Sequence, residues 1–197
     1  MNKKLKKNLI EYGVIGAIAL ILYLTGLHTE VIGFMQRGIL ATGLMKPDVE
    51  QSAEAAKHNE DPAADYNLKM VNSKGELVSL EQFRGKVIFM NIWATWCPPC
   101  VAEMPGINKL YNQVKDEDIV FLMLSVDEKF QKAVDYSKKK GYDFEVYRPT
   151  GPLPPSYSSQ SIPTTYVISA DGKLVLTNMG MGDYNTGEFK QFLGSLK

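Results

Sequence analysis

Sulfur and imidazole are scarce in this chain: 197 residues contain two cysteines and two histidines. Cys97 and Cys100 lie three positions apart, so no disulfide within the chain can staple distant elements. Zinc needs about four ligands. His28 and His58 fall outside the region patterned for a folded domain, so the cysteines read as one redox pair with no metal or other cofactor. Net charge is missing too, since 22 Lys and Arg balance 22 Asp and Glu. No broad basic face remains for nucleic acid, which excludes that class of partner. Internal repeats are absent, and low complexity is confined to one polar tether. With 45% hydrophobic and 22% charged residues, the chain is globular rather than disordered, with room for one domain plus extensions.

The charges that are present are segregated. Lys3, Lys4, Lys6 and Lys7 precede Tyr12 to Leu27, a stretch without a charged side chain that Leu9-Ile10 extend past Glu11. At 1.5 Å per residue, Leu9–Leu27 reaches about 28 Å, close to the roughly 30 Å of a hydrocarbon layer. The positive-inside rule then places the N-terminus in the cytoplasm and the remainder outside. A cleaved signal peptide shares the basic start and apolar run. Gly26-Leu27-His28 is, however, a poor small-x-small cleavage site, and an uncleaved anchor is the expectation.

Val31, Ile32, Phe34, Met35, Ile39, Leu40, Leu44 and Met45 form a second apolar segment, broken by Gln36-Arg37 and three glycines. It is too short to span. Two readings stay open: an amphipathic helix on the membrane surface with Arg37 reaching water, or a helix packed on the soluble domain. From Lys46 to Asp65 six acids face two lysines, a polar tether with a flexible reach of about 25 Å. The expected organisation is therefore a basic tail (1–8), a transmembrane anchor (9–27), a juxtamembrane segment (28–45), the tether (46–65) and a folded domain (66–197).

Within that domain, strand and helix patterns alternate. Asn67–Ser79 alternates about Asn72-Ser73-Lys74-Gly75, a hairpin signal. Ser79 opens a short helix that Gly85 ends. Lys86–Trp93 and Ile119–Val126 are continuous apolar runs of buried-strand length. Pro98–Lys115 is patterned as a helix that Pro105 is expected to kink, and Phe130–Lys140 is a second helix. Lys138-Lys139-Lys140 before Gly141 places cations at its negative end. After Phe144–Tyr147 and a Pro-rich loop, Thr164–Ser169 and Lys173–Thr177 form a hairpin across Ala170-Asp171-Gly172. Thr186–Leu196 closes the chain as a helix. The pattern predicts an α/β fold, a mixed sheet flanked by helices.

A thiol exchanges disulfides as its thiolate, yet a free cysteine titrates near 8.5. Trp93-Ala94-Thr95-Trp96-Cys97-Pro98-Pro99-Cys100 sets Cys97 at a helix start, where unpaired N–H groups and the dipole stabilise an anion. Pro98 and Pro99 have no N–H to leave unpaired there. Cys100 lies one turn in, so Cys97 is expected to attack and Cys100 to resolve the mixed disulfide.

That motif, with Glu103-Met104-Pro105 and Ser161-Ile162-Pro163-Thr164-Thr165, resembles the TlpA/ResA group of membrane-anchored thioredoxin-like proteins over residues 66–197. The resemblance implies a thioredoxin-like fold and a protein-disulfide reductase of the cell inner membrane, its domain on the periplasmic side. It implies substrate proteins with disulfides or thiols, for example in cytochrome c maturation, and a membrane or periplasmic electron donor. Pro163 matches the cis-proline opposite the cysteines, Trp96 the aromatic beside the nucleophile, and Glu103 a glutamate linked to proton transfer. Ile162 and Thr164 flank Pro163 in the implied substrate-binding loop. Asn91, six before Cys97, stands where thioredoxin has a buried aspartate and cannot accept a proton. A DsbA-like oxidase shares this architecture. A thioredoxin-fold peroxidase fits poorly, because Ala94 and Met90 replace its threonine and proline. A copper-delivery module lacks its histidine here.

Overall fold

The computed structural model describes residues 3–40, 42–43, 45–49, 62–115 and 118–197. Residues 50–61, most of the expected tether, lie outside them.

Continuous apolar runs become the centre of the sheet. Strand β3 (Val87–Trp93) is buried at every residue, and β4 (Ile119–Ser125) at all but Val120. They pair in parallel from Val87↔Ile119 to Trp93↔Ser125, so their carboxyl ends finish side by side. Parallel neighbours need a crossover, supplied by α3 (Pro98–Val114). A second crossover, α4 (Phe130–Lys140), leads to β5 (Val146–Pro149), parallel to β4. Gly141 ends α4 in the left-handed conformation, at φ 66°, which a side-chain-free residue adopts without steric cost.

The hairpin of β1 (Lys69–Asn72) and β2 (Leu77–Ser79) docks antiparallel on β5. The other edge is the hairpin of β6 (Thr164–Ile168) and β7 (Leu174–Met179), with β6 antiparallel to β3. The result is a seven-stranded mixed sheet in the order β2-β1-β5-β4-β3-β6-β7, closed by α5 (Gly187–Ser195).

Helices flank the sheet unequally. One core cluster joins Val87, Phe89 and Trp93 to Met104 and Ile107 of α3, Ala133 and Val134 of α4, and Phe189 and Leu193 of α5. The other joins Ile88, Met90 and Ile92 to Tyr66, Leu68, Leu80 and Tyr157, residues of loops and of 3-10 turns at Leu80–Phe83 and Pro155–Tyr157. Alternation along β3 thus sends alternate residues into two differently built cores.

Upstream lie α1 (Lys3–Thr25) and α2 (Leu27–Leu40). Among the described residues no single helix is long and apolar enough to cross a membrane. The pair Ile10–Thr25 and Leu27–Leu40 meets that test together, bent by 98°. The expected single span of 9–27 is therefore not confirmed: α1 stops at Thr25, and Tyr12–Thr25, its uncharged part, measures only about 21 Å. Helix α2 packs against the domain along α3.

Candidate active site

The site lies where β3 ends. Cys97 is the N-cap of α3, with extended backbone (φ −97°, ψ 104°), and Pro98 and Pro99 fill the first turn. The Cys100 N–H points at Cys97 Sγ from 3.3 Å, and the Cys97 carbonyl accepts from Val101 N–H at 3.0 Å. Cys97 and Cys100 are joined as a disulfide, their Cα atoms 5.3 Å apart. Cys97 is 4% exposed and Cys100 fully buried, so a partner reaches Cys97 first. On reduction, the helix-start N–H groups and dipole would favour the Cys97 thiolate over its thiol.

The loop before the cysteine is held by a residue that the sequence did not single out. Asp127 is buried just past β4, level with the end of β3. It accepts from Thr95 N–H at 3.0 Å, Thr95 Oγ1 at 2.6 Å and Ser125 Oγ at 2.9 Å. Its signal was an acid two residues after an apolar strand, at the carboxyl end of parallel neighbours, where α/β sheets place their sites.

Across from the cysteines, the Ile162–Pro163 peptide is cis, and the Ile162 carbonyl oxygen lies 3.7 Å from Cys97 Sγ. Ile162 is half-buried and Pro163 buried. Thr164 is fully buried, and its hydroxyl lies 2.8 Å from the Ser161 carbonyl and 2.7 Å from Ser159 Oγ. Its side chain therefore braces the loop, and its backbone lies between β3 and β7. Trp96, at 59% exposure, is the large apolar surface beside the sulfur.

Beneath them sits a buried carboxyl. Glu103, 1% exposed, accepts from Asn91 Nδ2 at 2.8 Å and from Gly182 N–H at 3.1 Å. Asn91 Nδ2 also donates to Thr165 Oγ1 at 2.9 Å. Burial pushes the Glu103 carboxyl up to about 8, against the pull of the Gly182 and Asn91 donors. Tyr184 is fully buried, and its phenol is raised well above 10 by burial and by the nearby Glu103. Nothing local in the sequence marked Gly182 or Tyr184, because they reach Glu103 only through the β7–α5 loop. A cavity of about 310 Å³ opens beside Glu103, walled by Arg37 and Leu40 of α2, Gly106 and Lys109 of α3, and Asp183. Helix α3 continues through Pro105 to Val114 as one element. Among the described residues no group of three or more His, Cys, Asp or Glu side chains is placed to hold a metal ion.

A Cys-x-x-Cys pair opening the helix after a central strand, opposite a cis-proline, defines a thioredoxin-like fold. More particularly, the chain belongs to the Redoxin family, whose model matches residues 56–192. It is 32% identical over 110 residues to the thiol-disulfide oxidoreductase ResA of Bacillus thuringiensis subsp. konkukian, covering 55% of this chain and 64% of that protein. The chain thus spans somewhat less than two thirds of that relative. It is 32% identical over 133 residues to the thioredoxin-like protein YneN of Bacillus subtilis, 66% of this chain and 76% of the other. A thioredoxin-family thiol:disulfide interchange protein of Chlorobium tepidum shares the fold, at a TM-score of 0.55 and 24% identity, covering 68% of this chain and 98% of its own.

Proposed function

We propose that this protein is a thiol–disulfide oxidoreductase that reduces disulfides of extracytoplasmic proteins, cytochrome c maturation being one such setting, and that α1 holds it in the membrane. The observation that carries the reading is the Cys97 sulfur at the start of α3, beside the Ile162 carbonyl and Trp96.

In the reduced enzyme the Cys97 thiolate attacks one sulfur of a substrate disulfide. A Cys97–substrate S–S bond forms, and the second substrate sulfur leaves as a thiolate and takes up a proton. Cys100, once deprotonated, attacks Cys97 Sγ and expels the first substrate sulfur. Two electrons have then passed from the dithiol to the substrate, leaving the Cys97–Cys100 disulfide. A dithiol donor at the membrane or in the periplasm restores the reduced pair. Glu103 supports the second step: burial pushes its carboxyl up to about 8, into the range where it exchanges a proton near neutral pH. Asn91 orients that carboxyl and takes no proton. Trp96, Ile162 and Pro163 form the surface on which the partner chain docks, and Thr164 braces it.

The Cys100→Ser variant tests the assignment. It is expected to accumulate mixed disulfides with extracytoplasmic proteins, whereas Cys97→Ser accumulates none. Trapping by the Cys97 variant alone reverses the two roles. Alkylation of the cysteines in intact cells tests direction: a reductase is found mainly as the dithiol, and a pair found fully oxidised identifies an oxidase.

A further inference from the structure

Helix α2 is amphipathic the wrong way round for a helix that only covers a protein. Such a helix turns its apolar stripe to the core and its polar side to water. Here the buried positions are Thr29, Gly33 and Leu40. Val31, Phe34, Met35 and Ile39 are exposed, Phe34 by 71% and Met35 by 70%. Helical spacing places these two sets on opposite sides. The inner side is shaped for close approach. A Cβ added at Gly33 would lie 3.2 Å from the Pro98 carbonyl oxygen and 3.2 Å from Val101 Cγ1. Glu30 also pairs with Lys140 of α4 at 2.7 Å.

Helix α1 is exposed in the same way, with Ile10, Tyr12, Ile15, Leu20, Tyr23 and Leu24 all turned to the surface. Between the helices Gly26 adopts φ 72°, and the axis turns by 98°. That turn carries a helix running into a bilayer over to one lying in its plane.

We propose that α2 lies in the lipid interface, with Val31, Phe34, Met35 and Ile39 among the acyl chains and its opposite side fixed on α3, so that Cys97 works on cysteines carried at the membrane surface. The proposal rests on α1 being the anchor. Gly33 packs so closely on the Pro98 carbonyl that a side chain would crowd between them, so α2, about 10–12 Å across, is what separates the first turn of α3 from lipid. A tether alone would let the cysteines face any direction. A helix gripping α3 sets their distance, and a membrane-bound partner with membrane-proximal cysteines is the substrate that distance suits. Lipid is the occupant, rather than a second copy, because the adjoining apolar helix of the same chain already enters it.

Full-length protein in phosphatidylethanolamine/phosphatidylglycerol vesicles, doped with a lipid carrying a photoreactive acyl chain, supplies the test. Mass spectrometry is expected to find lipid adducts on α1 and on Val31, Phe34, Met35 and Ile39, with Thr29 and Gly33 unmodified. Adducts on α1 without any on α2, or α2 cross-linked to a second copy, overturn the proposal while the anchor reading stands. Adducts on neither helix overturn both. The double variant Phe34→Asp/Met35→Asp is expected to keep its rate on a small soluble disulfide. Its exchange with a disulfide peptide tethered to the vesicle should fall by roughly tenfold, because α1 still anchors the protein but the cysteines lose their fixed distance and orientation. An unchanged rate on the tethered peptide also overturns it.

Discussion

The two sides of β3 make one sheet do two jobs. Ile88, Met90 and Ile92 enter a core of apolar residues closed by loops and 3-10 turns. Val87, Phe89 and Trp93 enter the core beneath the helices, and Asn91 on that side holds the buried Glu103. The cysteines open a helix that packs on the second side. Chemistry gathers there because the crossover after β3 both caps the sheet and presents its N-terminus at the strand's end. The loop-covered side contributes packing, and its Thr164 hydroxyl braces the loop before β6.

Substitutions on the loop-covered side should therefore change stability alone, whereas those on the helix side should reach activity. The largest effect is expected for Cys97→Ser, which should bring insulin reduction down to the uncatalysed rate with an unaltered far-ultraviolet circular dichroism spectrum. Turnover retained in this variant would remove the helix side from the mechanism.

Glu103→Gln comes next. The folded carboxyl, near 8, lies above its unfolded value of about 4.3. The native state therefore binds more protons than the unfolded state between those values. The associated stability is complete below about pH 4.3 and is lost by about pH 8, on the order of 5 kcal/mol in all. Urea unfolding at pH 5 and pH 8 should show this fall in the parent and a much flatter profile in the variant. The pH profile of thiol alkylation should shift as well. Superimposable profiles would mean that Glu103 meets solvent.

Met90→Ala, on the loop-covered side, should cost about 2–5 kcal/mol in unfolding free energy and leave the alkylation rate of Cys97 unchanged. A changed rate would show that the two sides communicate through β3. The smallest effect on stability is expected for Trp96→Ala, within about 0.5 kcal/mol because the ring is exposed. That variant should raise KM for folded disulfide substrates and spare kcat; an unchanged KM would place the docking surface elsewhere.

Much of this was legible in the sequence, for identifiable reasons. Lys86–Trp93 and Ile119–Val126 announced β3 and β4 because strands buried on both faces need runs that are almost wholly apolar, Asn91 being the polar exception within β3. Cys97 was legible because Cys-Pro-Pro-Cys directly follows such a run. Glu103 was placed on the helix, but its burial depends on Gly182, 79 residues away, and no local pattern encodes that contact. Asp127 was overlooked for a similar reason, since its partner Thr95 lies 32 positions back. Helix α2 shows another limit. Hydropathy registered its apolar residues, but of the buried positions Thr29, Gly33 and Leu40 only the last is a large apolar side chain, and the first two fit through lack of bulk rather than hydrophobicity.

The pairing of Asn91 with Thr165 across β3 and β6 also has a consequence in time. These partners are 74 residues apart, so β3 is synthesised well before the strand that covers one of its edges. At about 5–20 residues per second, the delay is about 4–15 s. Throughout it, a seven-residue strand without a charged side chain presents an open edge to any other chain, the condition under which strands pair wrongly. The early hairpin β1–β2 cannot shield it, because it docks on β5, itself made later than β4. A nascent chain of this protein should therefore bind an apolar-segment chaperone most strongly at lengths between β3 and β6, and release it once residue 168 has emerged.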